Sequence, residues 1–170
     1  MSKTPIFLAC WAAALLCLGC AGAGPKPVQS QLQIRQYQTR NYATGSQKLV
    51  MKALLNVLQD DGFIVKNVNL QLGFISGGKE VNIEDKSHAF WRRFWHGKKA
   101  TWNKFAQVET SLNVSPYGKG ETRVRANFQV KTLNNRGVVV NVETVNDPHF
   151  YQQFFATVQK SLYLQKQHLG

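Results

Sequence analysis

Two strictly alternating runs joined by a turn constrain this chain more than any other feature. Val108, Thr110, Leu112 and Val114 alternate with Glu109, Ser111 and Asn113. After Pro116-Tyr117-Gly118-Lys119-Gly120, a second run sets Thr122, Val124, Ala126, Phe128 and Val130 between Arg123, Arg125, Asn127, Gln129 and Lys131. A period of two sends successive side chains to opposite faces of a strand. Joined by a Gly-rich turn, the runs predict a long antiparallel hairpin, one face covered and the other wet. The apolar face needs a cover.

The flanking segments supply it. Thr44 with Gln47 three residues on predicts a capping box at a helix start. Leu49, Val50, Ala53, Leu54, Val57 and Leu58 then make one apolar stripe, and Gly62 after Asp60-Asp61 predicts its stop. Asp147-Pro148 predicts a second helix, with the stripe Phe150, Tyr151, Phe154, Phe155, Val158 and Leu162. Residues 31–42 read as a first strand, and β-rich pieces lie at 63–67, 72–79 and 138–144. The order β-α-β-β-insert-β-β-β-α predicts an α+β, two-layer sandwich: an antiparallel sheet of about five to six strands with two amphipathic helices on one face. In outline it is similar to the helix-grip domains of small outer-membrane lipoproteins.

Of 170 residues, 44% are hydrophobic and 18% charged, and the mean hydropathy of −0.28 excludes a polytopic membrane protein. Lys3 followed by the uncharged apolar run 6–18 reads as an export signal, too short to span a bilayer. The run ends in Cys17-Leu18-Gly19-Cys20, which looks like a lipobox, where lipoprotein signal peptidase cleaves before a cysteine carrying diacylglycerol. Cys17 stands where Leu is usual. The organisation expected is a signal peptide over 1–19, a lipid-anchored flexible tether over 20–30 containing Pro25 and Pro27, and a single domain over 31–170. Ala21 after the cysteine, by lipoprotein sorting rules, points to the outer membrane with the domain facing the periplasm. The alternative is an ordinary secretory signal cut near the small residues at 21–24. Because Cys10, Cys17 and Cys20 are the chain's three cysteines, residues 21–170 offer no disulfide, thiol nucleophile or thiolate metal site.

An insert at 87–105, SHAFWRRFWHGKKATWNKF, departs from every neighbouring pattern. Phe90, Trp91, Phe94 and Trp95 share helical spacing, and Arg92, Arg93, Lys98, Lys99 and Trp102 complete an aromatic-basic segment with no acid between Asp85 and Glu109. Trp rings beside cations suit the headgroup region of a membrane, where the rings bury their bodies and the cations meet phosphates. An anionic glycolipid or an acidic patch on an envelope protein suits them equally. The candidate binding residues are Phe90, Trp91, Arg92, Arg93, Trp95, Lys98, Lys99 and Trp102. The plainer alternative tucks the aromatics under the sheet edge as a satellite core. The 21 Lys and Arg against 9 Asp and Glu give a net charge of +12, a balance that also suits single-stranded nucleic acid. Export argues against that partner.

The chemistry-bearing residues do not assemble into a catalytic or metal motif. His88, His96, His149 and His168 lack metal spacing, and Ser76-Gly77-Gly78 lacks the surroundings of a nucleophile elbow and reads as a turn or bulge. Gly77-Gly78-Lys79 lacks the Walker spacing. Asp60 and Asp61, adjacent at a helix end, diverge by about 100°. The expectation is a non-enzymatic protein without metal or cofactor.

The runs Arg35-Gln36-Tyr37-Gln38-Thr39-Arg40, Leu58-Gln59-Asp60-Asp61-Gly62-Phe63, Leu72-Gly73-Phe74-Ile75 and Asn146-Asp147-Pro148 with Tyr151-Gln152-Gln153-Phe154-Phe155 resemble a family of small, functionally uncharacterised proteobacterial outer-membrane lipoproteins. The resemblance covers nearly the whole chain after the signal and implies envelope localisation and one domain. It carries over no catalytic residue. Members of that family have an Ala/Gly-rich apolar stretch where this chain has 90–102. Within Gln38-Thr39-Arg40, an edge-strand Arg40 pairing with a helix-end carboxylate such as Asp60 is expected. Two functions fit: an accessory module docking through the aromatic-basic segment, or a structural subunit of a trans-envelope secretion or efflux assembly.

Overall fold

A computed structural model describes residues 29–82, 105–134 and 136–168. The elements run α1 (Gln31–Tyr37), β1 (Thr39–Tyr42), α2 (Gln47–Asp60), β2 (Ile64–Asn69), β3 (Phe74–Asn82), β4 (Phe105–Tyr117), β5 (Glu121–Leu133), β6 (Val139–Thr144) and α3 (Pro148–His168). The two alternating runs form β4 and β5, paired from Phe105↔Leu133 to Tyr117↔Glu121. On the far side of β4 lie β3 and then β2, all antiparallel. On the far side of β5, β1 and β6 lie end to end: β1 takes residues 122–125 and β6 takes 129–133. The result is the expected α+β sandwich, a six-stranded antiparallel sheet with α2 and α3 covering one face.

Phe128 centres the core. Its ring meets Phe150 and Phe154 of α3 edge-on, each at 5.0 Å, and Phe63 at 6.2 Å. Edge-to-face geometry lets positive ring edges meet negative faces, so the cluster gains more than area burial alone. Around it pack Leu54 and Leu58 from α2, Tyr151 and Val158 from α3, and Ile75, Val108 and Leu112 from the sheet.

Local bonding overrides the expected pattern in three places. Residues 31–42 are not one strand. Ser30 Oγ accepts from the Gln33 amide at 3.2 Å, and Gln33 Oε1 accepts from the Ser30 amide at 2.9 Å, a capping box that nucleates α1. None of α1 is buried, so this local bonding rather than a core face selects the helix. The cap of α2 is Ser46 rather than Thr44: Ser46 Oγ accepts from the Leu49 amide, while the Thr44 carbonyl accepts from Thr122 Oγ1 at 2.6 Å. Gln47 does not turn back on the cap but donates to the Val114 carbonyl at 3.0 Å. Finally, Gly77 and Gly78 lie inside β3, and the bulge sits opposite, on β2. Val65 pairs with Gly77 and Asn67 with Ser76, leaving Lys66 as the extra residue. A Cβ at Gly77 would come within 3.0 Å of the Ile64 carbonyl, a close strand approach that glycine permits.

Replacing Phe128 by Ala should lower the unfolding free energy by about 3–5 kcal/mol in urea titration. Arg125→Ala, on the opposite, solvent face of the same strand, should stay within about 0.5 kcal/mol.

Candidate functional site

The site residues expected from the sequence, Cys20, Phe90, Trp91, Arg92, Arg93, Trp95, Lys98, Lys99 and Trp102, lie outside the described residues, as does the alternative of a satellite core. What is described is the base of the insert. The β3–β4 ladder continues to Asn82↔Phe105, so both ends of the intervening segment are held side by side at one end of the sheet.

Lys79 distinguishes that end. It occupies an inward position of β3, opposite Val108, where the alternation calls for an apolar side chain. Only 6% of it is exposed. Its Nζ donates to the Asp61 carbonyl at 2.7 Å and to Asp61 Oδ2 at 2.9 Å, and lies 4.9 Å from the Phe63 ring centroid. Asp61 is the C-cap of α2, and the last turn of that helix has no basic residue of its own. The ammonium therefore meets the negative end of the helix from a neighbouring strand. Burial pushes the Lys79 pKa down, and its bond to Asp61 opposes that shift. The signal for it in the sequence is a Lys in register with core positions Ile75 and Val81, in a chain whose first long helix closes on two acids.

Beside this pair is a cavity of about 220 Å³ between α2, the start of β2 and α3. Val57, Leu58, Phe63, Phe128 and Phe154 form its walls, with Asp60, Asp61 and Thr157 supplying polar atoms. Asp60 and Thr157 are exposed, which sets them at the mouth.

The outer sheet face is polar. Glu109 Oε2 lies 2.7 Å from Lys131 Nζ and Oε1 lies 3.4 Å from Lys66 Nζ. The bond from Lys131 is the main cause that holds Glu109 below the usual carboxylate range. Glu109 thus neutralises part of the outer-face charge, as its alternation with the core positions implied. Near it, Ser76, Ser111, Asn127 and Gln129 line a trough of about 270 Å³. The Arg123 guanidinium stacks 3.4 Å from the Tyr117 ring centroid.

Gln38-Thr39-Arg40 divides differently from expectation. Gln38 is buried and its Nε2 donates to the Tyr151 hydroxyl at 3.2 Å, tying the junction of α1 and β1 to α3. Burial pushes the Tyr151 phenol up to about 12. Arg40 pairs in register with Val124 and is exposed, and among the described residues no ion pair joins it to Asp60. Asp61, not Asp60, is the carboxylate that takes a cation. His149 is a first-turn residue as its position implied, its amide donating to Asp147 Oδ1 at 2.9 Å. No helix among the described residues is long and apolar enough to cross a membrane.

No family model matches the chain, and no curated protein does. Solved structures match, among them a DUF4468 family protein from Bacteroides ovatus. That likeness covers 73% of this chain and 84% of the other, at 10% identity and a TM-score of 0.39.

Asp61→Ala should cost about 1–2 kcal/mol at neutral pH by leaving a buried ammonium less well bonded. Its folded-state Lys79 pKa drops further below the unfolded value, so the variant's stability should rise with pH towards the ordinary lysine range in a pH series of denaturant titrations. Glu109→Gln should cost about 0.5 kcal/mol at neutral pH. A depressed carboxylate pKa contributes above the unfolded value and loses its contribution as pH falls through the folded one, so that difference should vanish in acid.

Proposed function

We propose that this protein is a non-enzymatic lipoprotein of the bacterial envelope, related to the small proteobacterial lipoproteins it resembles. Acylated Cys20 holds it in the outer membrane, facing the periplasm. The sandwich presents the aromatic-basic segment, through Phe90, Trp91, Arg92, Arg93, Trp95, Lys98, Lys99 and Trp102, to the membrane surface, an anionic glycolipid or an envelope protein. The observation that carries this reading is Cys20 itself, the last cysteine of the chain, at the end of an uncharged apolar run and after a small residue. A diacylated, N-acylated cysteine buries enough methylene groups for durable anchoring. The closed ladder at Asn82↔Phe105 supports the docking role, because it roots the segment on two strands inside the sheet rather than on a loose terminus.

A second reading, a structural subunit of a trans-envelope secretion or efflux assembly, is favoured by β6. Val139, Val140 and Val142 are 44%, 53% and 53% exposed on a strand whose ladder among the described residues is with β5 alone. Apolar edge strands of this kind invite another chain.

Intact mass of the membrane fraction should show a chain starting at Cys20 with acyl mass, and Cys20→Ser should abolish both that mass and the membrane fractionation. An unmodified chain cut elsewhere refutes the anchor. Trp91→Ala with Trp95→Ala should weaken binding to anionic vesicles while far-ultraviolet dichroism stays unchanged. Loss of the fold instead would assign these rings to a core. One stoichiometric protein captured by mild crosslinking, and lost on Val142→Lys, would establish the second reading over the first.

A further inference from the structure

The cavity beside Lys79 has a wall chemistry and a mouth chemistry that point in different directions. The walls are apolar and come from four places: Val57 and Leu58 from α2, Phe63 from the entry to β2, Phe128 from β5 and Phe154 from α3. At about 220 Å³ the space exceeds the roughly 150 Å³ apolar cavity known to take benzene, so it accommodates one ring with a short chain. Compact apolar cavities with a few polar groups at the mouth are the usual form of a small-ligand site.

Charge decides which ring. The chain carries 21 Lys and Arg against 9 Asp and Glu, yet two adjacent acids stand at this opening. They have separate tasks. Asp61 receives the Lys79 ammonium, whereas Asp60 has no ion pair among the described residues and is exposed. Asp60 is also the last residue of α2, where the helix carbonyls add negative potential. An anion would face both. A cation attached to the ring meets a carboxylate and a helix C-terminus at once.

We infer that this cavity binds a compact apolar amine, with its ring among Phe63, Phe128 and Phe154 and its ammonium on the Asp60 carboxylate. The Phe residues supply affinity through burial, and Asp60 supplies the choice of charge.

Equilibrium dialysis of the full-length protein in nanodiscs, against empty nanodiscs, tests this with three probes that share one phenylethyl body: 2-phenylethylamine, 2-phenylethanol and 3-phenylpropionate. The amine should bind saturably at one equivalent, roughly fivefold tighter than the alcohol, the limit expected of an exposed ion pair. The carboxylate should bind weakest. Asp60→Asn should erase the preference of amine over alcohol while leaving alcohol binding unchanged. Thr157→Trp, at an exposed position of α3 on the mouth, should abolish binding of all three with the melting temperature retained. Absence of saturable amine binding overturns the proposal. So does equal affinity for the carboxylate, or a charge preference that survives Asp60→Asn.

Discussion

Every other element of this protein is fastened to the ladder between β4 and β5. That ladder pairs every residue of two long strands, and its alternation divides the molecule into a covered and a wet side. The strand β3 hangs from β4, and β1 and β6 share what remains of β5. The helices need the hairpin for a different reason. Their apolar stripes cannot be exposed, and the inward row of β5 from Thr122 to Val130, with its neighbours on β4, is the surface that covers them.

Much of this was legible because the hairpin and both long helices have strong periodicities, and a register is fixed wherever one face must be buried. What escaped was bonding too local or too long-range for periodicity to register. Leu32 and Ile34 in α1 mimic a strand, but the Ser30–Gln33 box outweighs them because no core face demands extension there. The cap of α2 is Ser46, whose own amide donates to the Thr44 hydroxyl, while the Thr44 carbonyl is held by Thr122, a residue far along the chain. Similarly, Gly77-Gly78 suggests a turn or bulge, since two glycines resemble punctuation, whereas the bulge lies on β2 opposite and the glycines admit its close approach. The candidate site was legible in part. The two acids closing α2 were visible, but their division of labour depends on the depth at which Lys79 enters.

Lys79 illustrates a general economy in two-layer folds. A helix that ends without its own basic residue is capped by a strand residue from beneath, so one buried cation joins the layers at the end where α2 stops. The outer face handles its cations in another way, with Glu109 shared between Lys66 and Lys131 across strands. Surface sharing of this kind is screened by salt, and the buried cap is screened far less. The two arrangements therefore respond differently to ionic strength.

The end-to-end seating of β1 and β6 on β5 sets an order of assembly. The β5–β6 hairpin closes over a short loop, but β1 finds its partners only at residues 122–125. During synthesis from the N-terminus, β1 and the apolar stripe of α2 therefore exist long before the strand and the core surface that will receive them. Non-local closure of this kind is slow because loop entropy is lost before the contacts form. The nascent chain thus carries the apolar stripe of α2 uncovered until β5 has emerged, a state in which shielding by a chaperone has a physical purpose.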